Sequence, residues 1–185
     1  MKNILLLTDY KSFDDTKDLY FLSNQSFFKN IDLKNNQIKY QTIGDLTQNY
    51  QSRYDDTIRT DKIIFNIEQD LYKNLNHYHS TTFSHRYWKI ILGHWVARFV
   101  RTIYFRYKIL DKCLNNDHMI DLIHVSRCDS YTQSIDQTNV AWLASMDSEW
   151  NFNLFSKILI KCFKKKYDLN YIDTEKYQFT PNISK

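Results

Sequence analysis

Only two glycines, Gly44 and Gly93, and one proline, Pro181, occur among 185 residues. That scarcity limits the fold more than any other feature. Tight hairpin turns need residues that accept positive φ or arrive with φ preset, and Gly and Pro are the main suppliers. Their near absence argues against an all-β sandwich and for fewer, longer elements. A core is still available, because the chain is 43% hydrophobic and 16% aromatic, well away from the polar, highly charged balance of disordered segments.

Hydrophobic periodicity places those elements. Ile4 to Leu7 is an unbroken apolar run and Leu19 to Leu22 a second, both suited to buried strands of a parallel sheet. Residues 29–57 are polar and weakly patterned, which predicts a long loop with one edge strand near Ile38 to Ile43. From Asp61 the period changes: Ile64, Ile67, Leu71, Leu75 and Tyr78 recur three or four apart and predict a helix with that apolar face. Ser84 then caps a longer helix from His85 to Leu114, with Phe83 before it packing on Trp88 as a hydrophobic staple. Its apolar positions, Trp88 through Tyr107, are too broad for one stripe and predict burial on two sides. Gly93 inside it costs about 1 kcal/mol relative to Ala, which is explained if another backbone approaches closely there.

Met119 to Val125 reads as a third strand ending in Ser126, Arg127, Cys128 and Asp129. Asp136 and Asp147 are placed to cap two further helices, the second carrying Trp150, Leu154, Phe155, Ile158, Leu159 and Phe163. After Tyr167 the pattern fades. The expected organisation is a single α/β domain over residues 1–167 and a tail or connection over 168–185. The expected fold is a Rossmann-like open, mainly parallel sheet with packed helices.

Several chemistries find no support. Neither glycine has a partner at the spacing of a phosphate-binding loop. His77 and His79 would diverge on a helix, and no Cys/His set accompanies them, so no metal and no cofactor is expected. Cys113, Cys128 and Cys162 are odd in number and lack C-x-x-C spacing, which fits inert thiols in a reducing compartment. The start, Met1 to Thr8, reads as a strand rather than a signal peptide, and no run approaches the roughly 20 apolar residues of a membrane span. A cytoplasmic location is expected.

In an open parallel sheet, ligands gather beyond the carboxyl ends of strands. Those positions are Thr8 and Asp9 for the first strand, Ser23 to Gln25 for the second, and Ser126 to Ser130, including Arg127 and Asp129, for the third. The start of the long helix adds His85, Arg86 and Tyr87, where free N–H groups and an arginine fork suit an anion. Asp9 or His85 is a candidate base for a hydroxyl; Arg86, Tyr87, Arg127 and Asp129 are candidates for holding an anion or an acceptor. Arg86 and Trp88 could equally serve to lock the helix into the core. The helix also carries Lys89, Arg98, Arg101, Arg106 and Lys108 before its first acid, Asp111. This is either a solvated basic face or a contact surface for a phosphate-bearing acceptor, nucleic acid or an anionic membrane. A net charge of only +4 argues against general nucleic-acid binding.

The stretch from Leu71 to Leu110 carries Asn76 to His79, then Ser84-His85-Arg86-Tyr87-Trp88, Gly93, Trp95 and Tyr104-Phe105-Arg106-Tyr107. With Asp147-Ser148-Glu149-Trp150-Asn151 farther on, it resembles the amino-terminal part of transferases of bacterial surface-carbohydrate and O-antigen biosynthesis. The resemblance implies a glycosyltransferase with two halves. This chain would be the acceptor-side half or a truncated copy, with a nucleotide-sugar donor held by a carboxyl-terminal half and a saccharide as acceptor. His94 stands where the family pattern has proline. The alternative is a non-catalytic module using its basic helix face on nucleic acid or an anionic membrane.

Overall fold

The computed structural model describes residues 4–7, 19–22, 40–43, 49–115, 120–127, 137–163 and 167–172. Its elements are β1 (Ile4–Leu6), β2 (Leu19–Leu22), β3 (Tyr40–Ile43), α1 (Tyr50–Tyr78), α2 (His85–Asn115), β4 (Leu122–Ser126), α3 (Gln137–Met146), α4 (Ser148–Phe163) and β5 (Asp168–Ile172). The strands pair in parallel in the order β3-β2-β1-β4-β5.

The expected Rossmann-like open sheet with packed helices is not the architecture found. Helix dominates the described residues, and the sheet is small, with strands of only three to five residues. The two longest elements, α1 of 29 residues and α2 of 31, form an antiparallel hairpin in which α1 packs chiefly on α2 rather than on the sheet. The reason lies in the face that α1 buries. It consists of Asp56, Thr60, Ile64, Glu68 and Tyr72, a stripe at i+4 spacing that is too polar to cover an apolar sheet. The apolar stripe predicted for this helix is partly in solvent, with Ile67 40% and Tyr78 82% exposed.

Helix α1 also begins earlier than its hydrophobic pattern does. Asn49 caps it, its side-chain oxygen accepting from the Ser52 N–H at 2.8 Å. The first three turns then bury polar groups against α2. Asp56 accepts from the Tyr104 hydroxyl at 2.6 Å and from Lys108 Nζ at 3.2 Å, and Asp61 accepts from Arg101 at 2.8 Å. Other expectations hold. Ser84 accepts from the Tyr87 N–H at 3.3 Å, Phe83 meets Trp88 edge-on at 5.9 Å, and Asp147 caps α4 by accepting from the Trp150 N–H at 2.7 Å.

The hydrophobic core sits at the other end of α2. Ile109, Leu110, Cys113 and Leu114 pack with Leu5, Leu7, Leu22, Ile123 and Val125 of the strand segments and with Trp150, Phe155 and Leu159 of α4. The last third of α2 carries its fully core residues, with Phe99 and Ile103 packed on the same core from its middle, and Ile90 and Ile91 near its start are exposed. Two polar ties hold the layers together. Arg106 donates through Nε to Asn151 Oδ1 at 3.1 Å and through Nη2 to the Ala144 carbonyl at 2.7 Å, and the Ser126 N–H donates to Ser156 Oγ at 2.9 Å. The sheet also runs past residue 167: Asp168–Ile172, expected as the start of a tail, forms an edge strand beside β4, with Asp168 and Asn170 exposed. The cap proposed at Asp136 lies outside the described residues.

Phe155 is fully buried and packs beneath the Arg106 guanidinium. Phe155→Ala should therefore cost about 3–5 kcal/mol, measured as a drop in urea midpoint with an unchanged m-value, whereas Ile91→Ala on the exposed hairpin face should change stability by less than about 0.5 kcal/mol.

Candidate functional site: a cationic groove along α2

Between Asp70 and Asp111 the sequence contains no acid, and α2 occupies most of that interval. Its cations therefore face the world without acidic neighbours on their own helix. Helical spacing puts Arg86, Lys89, Ile90, Gly93, His94, Ala97 and Arg101 along one side, since steps of three or four lead from 86 to 89 and 90, on to 93 and 94, then to 97 and 101. Together with Asp61, Ile64, Phe65 and Glu68 of α1 they line an open groove of about 760 Å³. Arg101 also borders a second cavity of about 380 Å³, shared with Arg98, Thr102, Arg106 and the α3 residues Ala141, Ala144 and Ser145.

The floor of the larger groove is acidic. Glu68 is 3% exposed, and its carboxylate lies 3.9 Å from Lys89 Nζ, a cation whose side chain is largely in water. Gly93 lies against this carboxylate. A Cβ at this position would stand 3.4 Å from Glu68 Oε1, 3.8 Å from the Tyr72 hydroxyl and 3.2 Å from the flexible Lys89 Cγ. The close approach inferred from a mid-helix glycine is thus made by side chains, not by another backbone. Burial, with the Glu68 charge beside it, pushes the Tyr72 phenol up to about 12. In the second cavity, burial lowers the Arg106 guanidinium to about 10, which leaves it cationic at neutral pH.

The residues predicted for the site are distributed as follows. Arg86 lines the groove. Tyr87 lies beside it on the surface, stacked on Phe83 with ring centroids 4.1 Å apart. His85 turns inward: its Nε2 is 2.9 Å from the Gln69 amide nitrogen, and its ring meets Tyr72 edge-on at 4.7 Å. Arg127 is exposed just after β4, its N–H donating to the Ile172 carbonyl at 2.9 Å. Asp9 and Asp129 lie outside the described residues. The start of α2 does not face the strand ends. At about 1.5 Å per residue, Arg86 is roughly 35 Å along α2 from the core residues Ile109 and Leu110, so the structure does not bring it together with Arg127.

Sequence reasoning missed Glu68, Tyr72 and Asp61. Glu68 and Tyr72 were signalled only by the i+4 series they share with Asp56 and Thr60, which no hydrophobic pattern registers, and Asp61 lies outside that series. Asn76 was visible in the motif but without a role. Its Oδ1 accepts from Trp88 Nε1 at 2.8 Å and from the Phe83 N–H at 3.1 Å, while its Nδ2 donates to the Phe83 carbonyl at 2.8 Å. It closes the turn that sets the two helices side by side. His79 stacks near Trp88 at 6.0 Å, and among the described residues no cluster of three or more His, Cys, Asp or Glu is placed to hold a metal.

A family model described as LIC12162 family transferase matches residues 3–184. No curated protein and no solved structure matches the chain.

The Tyr72 environment has a measurable consequence. A phenol that ionises at about 12 in the fold, against an ordinary 10.0, contributes stability that is whole below the lower value and is lost as pH rises through the higher one. Tyr104 and Cys113 are raised in the same direction by burial and add to that loss. Urea unfolding across this alkaline range should show a shallower decline for Tyr72→Phe than for the wild type, and the same pH dependence of the two below it.

Proposed function

The chain belongs to the LIC12162 family of transferases, and from that premise we propose that it acts in glycosyl transfer and contributes the acceptor site. The acceptor in this reading is a saccharide carrying phosphate or another anionic group, as in surface-polysaccharide assembly. One observation supports it above the others: Arg101 borders two adjoining cavities, with Arg86 and Lys89 along one and Arg98 and Arg106 along the other.

Such an arrangement suits an elongated anionic ligand. Guanidinium forks bind phosphate or carboxylate through paired charge-assisted hydrogen bonds. The larger groove falls within the roughly 300–1,000 Å³ typical of small-molecule sites. Its wall offers Ile64, Phe65 and Ile90 to the apolar face of a sugar ring, and Glu68 on its floor can accept from a sugar hydroxyl. Arg106 is the least adaptable of the cations, since Asn151 and Ala144 already fix its plane. It would hold charge at a set position while Arg98 and Arg101 adjust. The nucleotide-sugar donor, and the groups that stabilise the transition state, belong in this reading to a donor-binding part distinct from the groove.

The test is a transfer assay with nucleotide-sugars and paired acceptors, phosphorylated and neutral. Arg98→Ala and Arg101→Ala should each raise KM for the phosphorylated acceptor by about tenfold to a hundredfold, the loss of one charged hydrogen bond. They should leave kcat and the neutral acceptor little changed. Losing Arg101 also removes its exposed pair with Asp61, which contributes at most about 1 kcal/mol to stability. Absence of sugar transfer, or an unchanged KM for the phosphorylated acceptor in both variants, would overturn the reading.

A further inference from the structure

The free end of the α1–α2 hairpin is built unlike the rest of the surface. From Leu71 to Leu92 there are three cations, Lys73, Arg86 and Lys89, three histidines and no acid. Large apolar and aromatic side chains stand in water in the same segment. Tyr78 is 82% and Ile90 72% exposed, and Phe83, Tyr87 and Ile91 are also exposed. Phe83, Tyr87, Ile90 and Ile91 fall at helical spacing on one stripe that begins with the stacked Phe83–Tyr87 pair. The internal demands of the turn are met elsewhere, by Asn76 and the buried Trp88. Phe83 and Tyr87 add edge-on ring contacts to Trp88, and the exposed Tyr78, Ile90 and Ile91 are not among these contacts.

We infer that this hairpin end is a docking surface for an anionic lipid bilayer. The choice of partner rests on charge and on side-chain type together. Lys73, Arg86 and Lys89 outnumber the acids nearest them, the buried Glu68 and the exposed Asp70, and a surface with this positive excess is drawn to a negatively charged leaflet. Tyrosines, apolar in the ring and polar at the hydroxyl, are favoured at the level of lipid headgroups, where isoleucine and phenylalanine can reach the acyl boundary. Place in the fold agrees, because the hairpin end is the part of α2 farthest from the core and can meet a plane without the sheet intervening. No helix among the described residues is long and apolar enough to cross a membrane, so contact of this kind is peripheral. Docking brings the Arg86 end of the groove to the headgroup layer. The inference concerns the hairpin end and not the transfer chemistry, and it stands or falls separately from the nature of the acceptor.

The experiment is sedimentation of the full chain with vesicles of phosphatidylcholine mixed with phosphatidylglycerol, against vesicles of phosphatidylcholine alone. Two variants avoid the groove: Tyr78→Ser combined with Ile91→Ser, and Lys73→Glu. Circular dichroism confirms that each remains folded. The wild type should bind the mixed vesicles and not the neutral ones, and each variant should bind about tenfold more weakly. Failure of the wild type to bind mixed vesicles overturns the inference. So does binding that the Tyr78/Ile91 double substitution leaves unchanged. Equal competition by a soluble oligonucleotide would also overturn it, since that would mark a general polyanion surface.

Discussion

The Arg106 guanidinium is the point at which the layers of this protein are joined. It leaves α2, lies over the Phe155 ring at 5.5 Å, and donates to Asn151 on α4 and to the carbonyl of Ala144 at the end of α3. Asn151 is itself fully buried and donates to the Leu143 and Asp147 carbonyls at 3.0 and 2.7 Å, satisfying the turn between α3 and α4. A buried cation is costly unless its donors are met. Here the acceptors are backbone carbonyls and an amide that exist only when three helices are correctly placed. The interaction therefore specifies the assembly more than it strengthens it. It also links two of the stretches that marked the sequence, Tyr104 to Tyr107 and Asp147 to Asn151, whose meeting in space accounts for both.

How much of this could be read from the chain depends on what held each element. Elements held by apolar contact were legible: the α2 start with Ser84, Phe83 and Trp88, the α4 face with Trp150, Phe155 and Leu159, and the strand segments around Leu5, Leu22 and Ile123. Elements held by polar contact were not. Helix α1 begins at Asn49 and buries Asp56 and Thr60, so its first turns resembled a loop. Strand β5 has exposed Asp168, Asn170 and Tyr171 and only half-buried Leu169 and Ile172, too short and too polar a pattern to announce an edge strand. The architecture was misjudged for the same cause. Once α1 is seen to prefer α2, the helices no longer divide over a sheet, and the sheet becomes the smaller partner.

The candidate site shows the same division. Arg86 and the basic run on α2 were visible because charge is written directly in the sequence. Glu68 and Tyr72 were not, since only the packing of α1 against Gly93 makes them part of a groove. Nor could the sequence reveal distance. His85 and Arg86 were expected near the strand ends because an α/β sheet would put a helix start there, and a helix of 31 residues carries them far from it.

The α1–α2 seam is held in part by single polar partners. Its contacts are discrete: Asp56 with Tyr104 and Lys108, Asp61 with Arg101, Glu68 with Lys89. An apolar seam lets one helix slip by a turn and find similar neighbours, but a seam of single charged partners works like the teeth of a vernier. Sliding α1 by about 5.4 Å would break the Asp61–Arg101 and Glu68–Lys89 pairs and leave Asp56 beside only one of Tyr104 and Lys108. The hairpin thus favours its present alignment over a one-turn slip, and with it the positions of its cations along the groove.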